Sequence, residues 1–93
     1  MIRTFSSRQT ERLFNRERVR EFLNIERVAR RRLVALNNAA ALTDLRIPPG
    51  NCLEPLSGER EGQWSIRIND QYRICFTWKE DGPYEVEITK HYR

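Results

Sequence analysis

Two runs of alternating side chains, joined by a short polar segment, constrain the fold of this chain more than any other feature. Apolar residues occupy every second position in both runs: Trp64, Ile66 and Ile68 in the first, and Tyr72, Ile74, Phe76 and Trp78 in the second. Because the side chains of a β strand point alternately to its two faces, this period of two predicts two strands. The segment Asn69-Asp70-Gln71 between them has the composition of a hairpin turn.

The register of this hairpin follows from the requirement that both apolar rows share one face of the sheet. A three-residue turn meets the requirement, and it places Arg67 directly opposite Arg73 on the other face. Like charges that face each other across a ladder are unfavourable by roughly 0.2–1 kcal/mol, so their pairing here suggests a functional role. Two guanidinium groups on a rigid sheet match the oxygens of a phosphate. The alternative is an ordinary solvated face, neutralised by Glu85 and Glu87 of a following strand.

Charge is distributed unevenly along the chain. Residues 1–50 hold eleven arginines against five acidic residues, whereas residues 51–93 hold six basic residues against eight acidic ones. The net charge is +4, and fifteen of the seventeen cationic residues are arginine. This balance favours an anionic partner, most often nucleic acid, although a basic face can equally serve solubility.

Length and composition limit the classes of protein that this chain can belong to. With 93 residues, of which 39% are hydrophobic and 32% charged, we expect a single globular domain over residues 1–93. Cys52 and Cys75 lack the spacing of a zinc motif and the chain has one histidine, so we expect no metal and no cofactor. No apolar run approaches a membrane span or a signal peptide, and we expect a cytoplasmic protein with reduced thiols and no membrane partner.

The first half of the chain predicts a short strand followed by two helices. Ile2 to Phe5 is β-prone, and Ser6 and Ser7 after it are candidate helix caps. A second, longer helix has Asn24 as its candidate cap and an apolar stripe at helical spacing, formed by Ile25, Val28, Ala29, Leu33, Leu36 and Ala40.

Three arginines of this second helix, Arg27, Arg30 and Arg31, fall away from the apolar stripe. They form either a solvated helix face or a surface that contacts nucleic acid or protein. Charge alone leaves both interpretations open.

The second half of the chain predicts a loop and further strands. Residues 46–51, which include Pro48-Pro49, continue neither a helix nor a central strand. Leu53 and Leu56 indicate a short strand interrupted by Pro55, and residues 84–89 alternate as a last strand after a turn at residues 79–82. The predicted fold is therefore α+β: an N-terminal strand and two helices packed on one face of an antiparallel sheet of three or four strands, with the arginine face left open.

The pairing of the last two strands places the C-terminal residues toward the same end of the sheet as Arg67 and Arg73. With Trp78 opposite Tyr84, the register places Arg73 opposite Thr89 and carries His91 to the arginine face. An imidazole exchanges protons near neutral pH, and an arginine stabilises charge that develops on phosphorus.

Tyr92 follows His91, and a tyrosine stacks on a base or takes part in proton transfer. These groups meet the needs of metal-independent RNA cleavage, in which a 2′-hydroxyl attacks its neighbouring phosphate. A histidine so near the C-terminus is also commonly an exposed side chain without a chemical role, and spacing leaves this alternative open.

A resemblance to a known family covers nearly the whole chain. Its motifs are Pro48-Pro49-Gly50-Asn51, Leu53-Glu54-Pro55-Leu56-Ser57-Gly58, the run from Arg60 to Trp78, and Val86-Glu87-Ile88. These motifs resemble the HigB branch of the RelE/ParE toxin superfamily. The resemblance implies a compact α+β toxin that partners a helix-turn-helix (HigA-like) antitoxin and acts as a ribosome-dependent endoribonuclease on translated mRNA.

The same resemblance assigns expected roles to individual residues. Arg73 matches the active-site arginine of the family, and Arg67 and Arg60 match basic positions found in many members. Combining this resemblance with the strand parity and the placement of charge, we expect Arg73, Arg67, His91 and Tyr92 in the catalytic set, and Arg60, Lys90, Arg27, Arg30 and Arg31 among the residues that contact RNA.

The end of the last strand departs from the family pattern. Related toxins usually end in Asp-Tyr-His, whereas this chain has Lys90-His91-Tyr92. Either the same two groups act from exchanged positions, or the activity is weak or lost, because a lysine suits phosphate binding but does not replace a carboxylate as a base. Two alternatives follow: a non-enzymatic inhibitor of a protein target, as in gyrase-poisoning relatives, or a degenerate toxin retained to bind its antitoxin.

Overall fold

Two helices pack on one side of a four-stranded antiparallel sheet in this computed structural model, which describes residues 1–90. The helices are α1 (Arg8–Phe14) and α2 (Glu26–Asn38). The strands are β1 (Glu54–Pro55), β2 (Trp64–Arg67), β3 (Tyr72–Lys79) and β4 (Gly82–Lys90), in the spatial order β1-β2-β3-β4. The predicted α+β class is confirmed. Neither helix in residues 1–90 is long and apolar enough to cross a membrane.

The two helices begin in different ways. Ser7 caps α1 as predicted, because its side-chain oxygen accepts a hydrogen bond from the backbone N–H of Thr10 at 3.2 Å. The predicted cap of α2 is wrong, since Ile25 and not Asn24 occupies that position and makes no side-chain cap. Ile25 is buried in the core, so packing of this side chain fixes the start of the helix.

The core lies between the helices and the inner face of the sheet. Ala29, Leu33 and Leu36 of α2 are fully buried there, and they share the core with the fully buried sheet residues Ile66, Ile74, Phe76 and Val86. The predicted apolar stripe is confirmed except at its end. Ala40 lies beyond the last residue of α2 and is exposed.

The predicted register of the first hairpin is confirmed. Ile66 lies opposite Ile74, and Arg67 lies opposite Arg73. The side-chain oxygen of Asn69 accepts hydrogen bonds at 2.8 Å from the backbone N–H groups of both Gln71 and Tyr72, which fixes the turn. The two arginines therefore leave the sheet together on the face away from the helices, which we call the outer face.

The second hairpin contains a β-bulge that the sequence pattern did not reveal. Near the turn Trp78 lies opposite Pro83, so the predicted pairing with Tyr84 is wrong. The register then shifts by one residue beside Glu85, whose φ of 54° lies in the left-handed region. After this shift Arg73 lies opposite Thr89, as predicted.

The predicted N-terminal strand is reduced to a single bridge. Phe5 pairs with Val86 in a parallel bridge, and the backbone N–H of Arg3 donates to the carbonyl of Pro83 at 2.9 Å. The segment thus follows the free edge of β4 without forming a regular ladder. Two features of that edge explain the difference, because Pro83 has no N–H to donate and the bulge at Glu85 breaks the spacing of the ladder.

A buried hydroxyl joins α1 to the last strand. The backbone N–H of Ile88 donates to Oγ1 of Thr10 at 2.9 Å, and Thr10 is fully buried. We expect Thr10→Val to lower the free energy of unfolding by about 1–3 kcal/mol, because the buried amide of Ile88 then loses its acceptor. Urea denaturation measures this loss, and Thr10→Ser is the matched control that keeps the hydroxyl. The amide of Ile88 is expected to exchange its hydrogen faster than global unfolding allows in Thr10→Val, but not in Thr10→Ser. Equal exchange at Ile88 in both variants would contradict a stabilising role for this hydrogen bond.

Candidate anion-binding site

Arg73 is the most constrained cation on the outer face. Its Nε donates to Oγ of Ser65 at 2.8 Å, and its Nη2 donates to the backbone carbonyl of Cys52 at 3.0 Å. The same Nη2 lies 3.0 Å from Oε1 of Glu54. The side chain of Arg73 is only 14% exposed, so three contacts fix the plane of its guanidinium group. Among residues 1–90, Nη1 has no hydrogen-bond partner.

Arg67 is the more accessible member of the pair. Its side chain is 38% exposed and forms an ion pair with Asp70 in the hairpin turn. Its backbone carbonyl accepts a hydrogen bond from Nε of Arg32 at 3.1 Å, which ties α2 to the end of β2. Each arginine of the pair thus has a carboxylate of its own, which offsets the repulsion expected from like charges on facing positions.

The predicted neutralising partners of this pair are wrong. Glu87 pairs with Arg60 at 3.0 Å, and Glu85 accepts a hydrogen bond from Oγ1 of Thr77 at 3.3 Å. The register explains the difference for Glu87. It lies opposite Cys75, two residues along β3 from Arg73, whereas Thr89 lies opposite Arg73 itself.

The outer face is less open than predicted. The segment from Cys52 to Glu54 lies against Arg73, and Ser65 and Cys75 on the same face are buried. Asn51 anchors this segment, because its Nδ2 donates to the carbonyl of Leu45 at 3.1 Å. One wall of the site is therefore formed by the β1 segment, and the side next to Arg67 remains accessible.

Two other predicted RNA-contacting residues lie apart from the arginine pair. Arg60 is partly exposed on the outer face and is held by Glu87 and by Oε1 of Gln63 at 2.9 Å. Lys90 lies opposite Tyr72, so its side chain belongs to the helix side of the sheet, and its Nζ is 5.8 Å from the centre of the Tyr72 ring. The lysine that replaces the aspartate of related toxins thus does not point toward Arg73.

The three helix arginines divide into two kinds. Arg27 and Arg31 are exposed. Arg30 is instead a clamp between α2 and the end of α1: its Nε donates to the carbonyl of Leu13 at 3.0 Å and its Nη2 to that of Glu17 at 2.8 Å. The role predicted for Arg30 in binding RNA therefore competes with an observed structural role.

This division gives a matched pair of variants. We expect Arg30→Ala to lower the free energy of unfolding by about 1–3 kcal/mol, because two backbone carbonyls lose their donor. Arg31→Ala changes stability by about 0.5 kcal/mol or less, since its side chain is exposed. Urea denaturation of both variants measures the difference. Equal stability of the two variants would contradict the clamp.

A cavity of about 560 Å³ lies farther along the outer face. Its lining includes Glu59, Glu61 and Glu85 against the single cation Arg60. An excess of carboxylates does not suit a phosphate, so the arginine pair and not this cavity is the candidate anion site.

The pKa shifts in the structure occur away from this site. At the β3–β4 turn, the hydroxyl of Tyr84 donates to Oδ2 of Asp81 at 2.6 Å. This hydrogen bond lowers the pKa of Asp81, with a smaller contribution from the charge of Arg3, and it raises the pKa of Tyr84. The pair fastens the hairpin at the end of β3 opposite to Arg73.

The remaining predicted site residues, His91 and Tyr92, lie outside the described residues. Their proximity to Arg73 therefore stays a prediction from strand parity. Within residues 1–90, no group of three or more His, Cys, Asp or Glu side chains is arranged to hold a metal ion.

Sequence reasoning missed the three groups that hold Arg73. Glu54 and Ser65 lie directly opposite each other in the β1–β2 pairing, and the carbonyl of Cys52 lies two residues before β1. The alternation of side chains could have indicated this contact, because a residue paired with Ser65 shares the outer face with Arg67 and Arg73. Reading it required the register across residues 57–62, which form an irregular turn and not a standard hairpin.

The chain is thus a small α+β protein with two arginines on directly opposite positions of its outer face, which form the candidate anion site. Residues 3–91 match the HigB-like toxins, described as RelE-like toxins of type II toxin-antitoxin systems. The chain belongs to this family.

Two individual proteins are similar to this chain. It is 43% identical over 68 residues to Toxin HigB-1 of Vibrio cholerae, covering 73% of this chain and 72% of that protein. It is also 31% identical over 68 residues to an uncharacterised protein of Haemophilus influenzae, covering 73% and 67% of the two chains. Membership in a type II system implies an antitoxin partner.

Proposed function

We propose that this protein cleaves mRNA on the ribosome as a metal-independent endoribonuclease and thereby inhibits translation. The observation that carries the proposal is the arginine pair, in which Arg73 is fixed by three contacts and Arg67 lies directly opposite. Preorganised donors aimed at developing charge are the largest single contribution that many enzymes make to catalysis. An arginine that is already held in place needs little reorganisation when the phosphate binds.

Each proposed group has one task in this reaction. Arg73 and Arg67 hold the scissile phosphate and stabilise the extra negative charge that develops when the 2′-hydroxyl attacks phosphorus. His91 transfers a proton, and Tyr92 orients or stacks on a base. Exposed Arg27 and Arg31 contact ribosomal RNA, together with Arg60.

The proposed partners follow from this role. The antitoxin is a helix-turn-helix protein of the HigA type, and the toxin acts in the cytoplasm, where ribosomes and mRNA are found. Support comes from family membership and from the basic first half of the chain.

The test is cleavage of a defined message in a translating extract. We expect wild-type protein to cut the message only while it is translated, leaving a 2′,3′-cyclic phosphate on the upstream fragment. A message with a 2′-O-methyl group at the mapped cleavage position must stay whole, because the attacking hydroxyl is then absent. An intact message with wild-type protein overturns the enzyme. Inhibition of gyrase supercoiling with intact mRNA would establish the alternative target.

A further inference from the structure

Strand β1 covers only part of the edge of β2 and stops short of the arginine pair. The β1–β2 ladder sets Glu54 opposite Ser65, so its continuation would set Cys52 opposite Arg67. The ladder does not continue, because Cys52 turns the chain with a φ of 48° and its N–H donates to the carbonyl of Pro49 at 3.1 Å. The edge of β2 at Arg67 is therefore left to another group.

The backbone carbonyl of Arg67 faces this edge. In the first hairpin the N–H of Ile68 donates to the carbonyl of Tyr72 at 2.9 Å, so these two residues form a hydrogen-bonded pair. Such pairs alternate along an antiparallel ladder, and the next pair, Arg67 and Arg73, therefore directs its backbone groups away from β2–β3 pairing. The carbonyl of Arg67 accepts its hydrogen bond from Nε of Arg32, at 3.1 Å. A guanidinium group thus takes the place of a strand at this position.

Arg32 is a partly buried cation that differs from the arginine pair in its surroundings. Arg67 and Arg73 each have a carboxylate partner. Within residues 1–90, Arg32 forms no ion pair, and its Nε makes the one hydrogen bond of its side chain. The two Nη atoms carry the remaining donors of the fork. Since a charge that is partly removed from water gains from a partner of opposite sign, this arrangement favours a bound anion.

We propose that Arg32 binds the phosphate next to the scissile one on the same message, an assignment that rests on the proposed function. Its Nε lies 3.1 Å from the backbone of Arg67, so a strand whose scissile phosphate contacts the arginine pair passes beside the fork of Arg32. Adjacent phosphates of one RNA strand are a single ribose apart, and an arginine fork matches the oxygens of a phosphate. Arg32 is therefore a binding residue that positions the strand without contacting the reacting atoms.

A purely structural role for Arg32, as the tie between α2 and β2, is the competing explanation. Arg32→Gln separates the two, because Nε2 of glutamine is the same number of bonds from Cα as Nε of arginine and donates to the same carbonyl. This variant keeps the tie and loses the charge with the rest of the fork. We expect its midpoint of urea denaturation to equal that of wild type, whereas Arg32→Met, which lacks the hydrogen bond, unfolds at a lower urea concentration.

The first measurement is the affinity for ribosomes that carry an uncleavable message, with a 2′-O-methyl group at the cleavage position. We expect Arg32→Gln to bind about 10-fold more weakly. The slope of log affinity against log salt should fall by about 0.7, the value for one phosphate contact on a single strand. At saturating toxin an ordinary message is cleaved within about twofold of the wild-type rate, because the scissile phosphate keeps both of its arginines. The matched control is Arg12→Gln, which removes the same charge from a half-exposed arginine of α1 and is expected to leave affinity and slope unchanged.

A neutral linkage then identifies the phosphate. Uncleavable messages carry a methylphosphonate in place of the phosphate on one side of the scissile position or on the other. We expect wild-type protein to lose about 10-fold in affinity for one of these messages, and Arg32→Gln to lose nothing further on that message. Each comparison uses one protein with two messages, so it holds even for a variant of lower stability.

The inference is overturned if Arg32→Gln binds the unmodified message as tightly as wild type does, or if each neutral linkage weakens both proteins equally. Wild-type protein that leaves an ordinary message whole overturns the proposed function instead. The two failures are distinct, because the affinities for uncleavable messages are measured without any cleavage.

Discussion

Arg73→Ala is expected to slow mRNA cleavage on the ribosome by about 10²–10³-fold, the loss typical of removing a preorganised donor to developing charge. The reason is that Arg73 is held by Ser65, Cys52 and Glu54 in one orientation, so in the proposed reaction the phosphate meets a donor that is already in place. The measurement is the single-turnover rate with a defined message, together with relief of growth arrest when the variant is expressed in cells.

Two further variants make this result specific. Arg73→Lys keeps the charge but loses the planar fork, and we expect a rate between those of wild type and the alanine variant. Lys79→Ala removes an exposed cation at the other end of β3 and is expected to leave the rate unchanged. Arg73→Ala also leaves the buried hydroxyl of Ser65 without its donor, at a cost of about 1–3 kcal/mol, so the folded fraction must be measured by circular dichroism at the assay temperature. A folded alanine variant that cleaves at the wild-type rate would remove Arg73 from the mechanism.

Phe76→Ala is expected to have the largest effect on stability. Phe76 is fully buried at the centre of the inner face, and its ring contacts that of Trp78 edge to face, with a centroid distance of 6.5 Å. Truncating such a side chain lowers the free energy of unfolding by about 3–5 kcal/mol. A domain of this size has a total of about 5–15 kcal/mol, so the variant loses a large share of its stability.

Urea denaturation followed by tryptophan fluorescence measures this effect. The matched control is Thr77→Ala on the next residue, whose side chain belongs to the outer face and is only half-buried. Its expected cost is about 1 kcal/mol or less. If both variants lost the same stability, the assignment of the two faces of β3 would be wrong.

The parts of the fold that sequence alone predicted are those set by strict alternation. The pairing of Arg67 with Arg73 followed from the demand that Ile66 and Ile74 share a face, and both pairs are observed. Alternation is reliable here because a shift by one residue would bury every charged side chain of the strand.

The parts that sequence did not predict depend on irregular backbone or on competition between residues. Asn24 has the better chemistry for a cap, but burial of Ile25 decides where α2 begins. The contact between Glu54 and Arg73 required knowledge of an irregular turn, for which composition gives no register. The arginine face was likewise expected to be open. Strand β1 has only two residues, so its pattern did not predict that the loop before it would cover Arg73.

The bulge at Glu85 decides which side chains of β4 face the helices. If the register found at the turn continued along β4 with Glu85 in an ordinary place in the ladder, Ile88 would lie opposite Arg73 and its apolar side chain would leave the core. Deleting Glu85 itself would let the ladder close evenly and would keep Thr89 opposite Arg73, because the bulge adds one extra residue to β4. A protein engineer who straightens this hairpin should therefore remove that single residue and leave the rest of the strand unchanged.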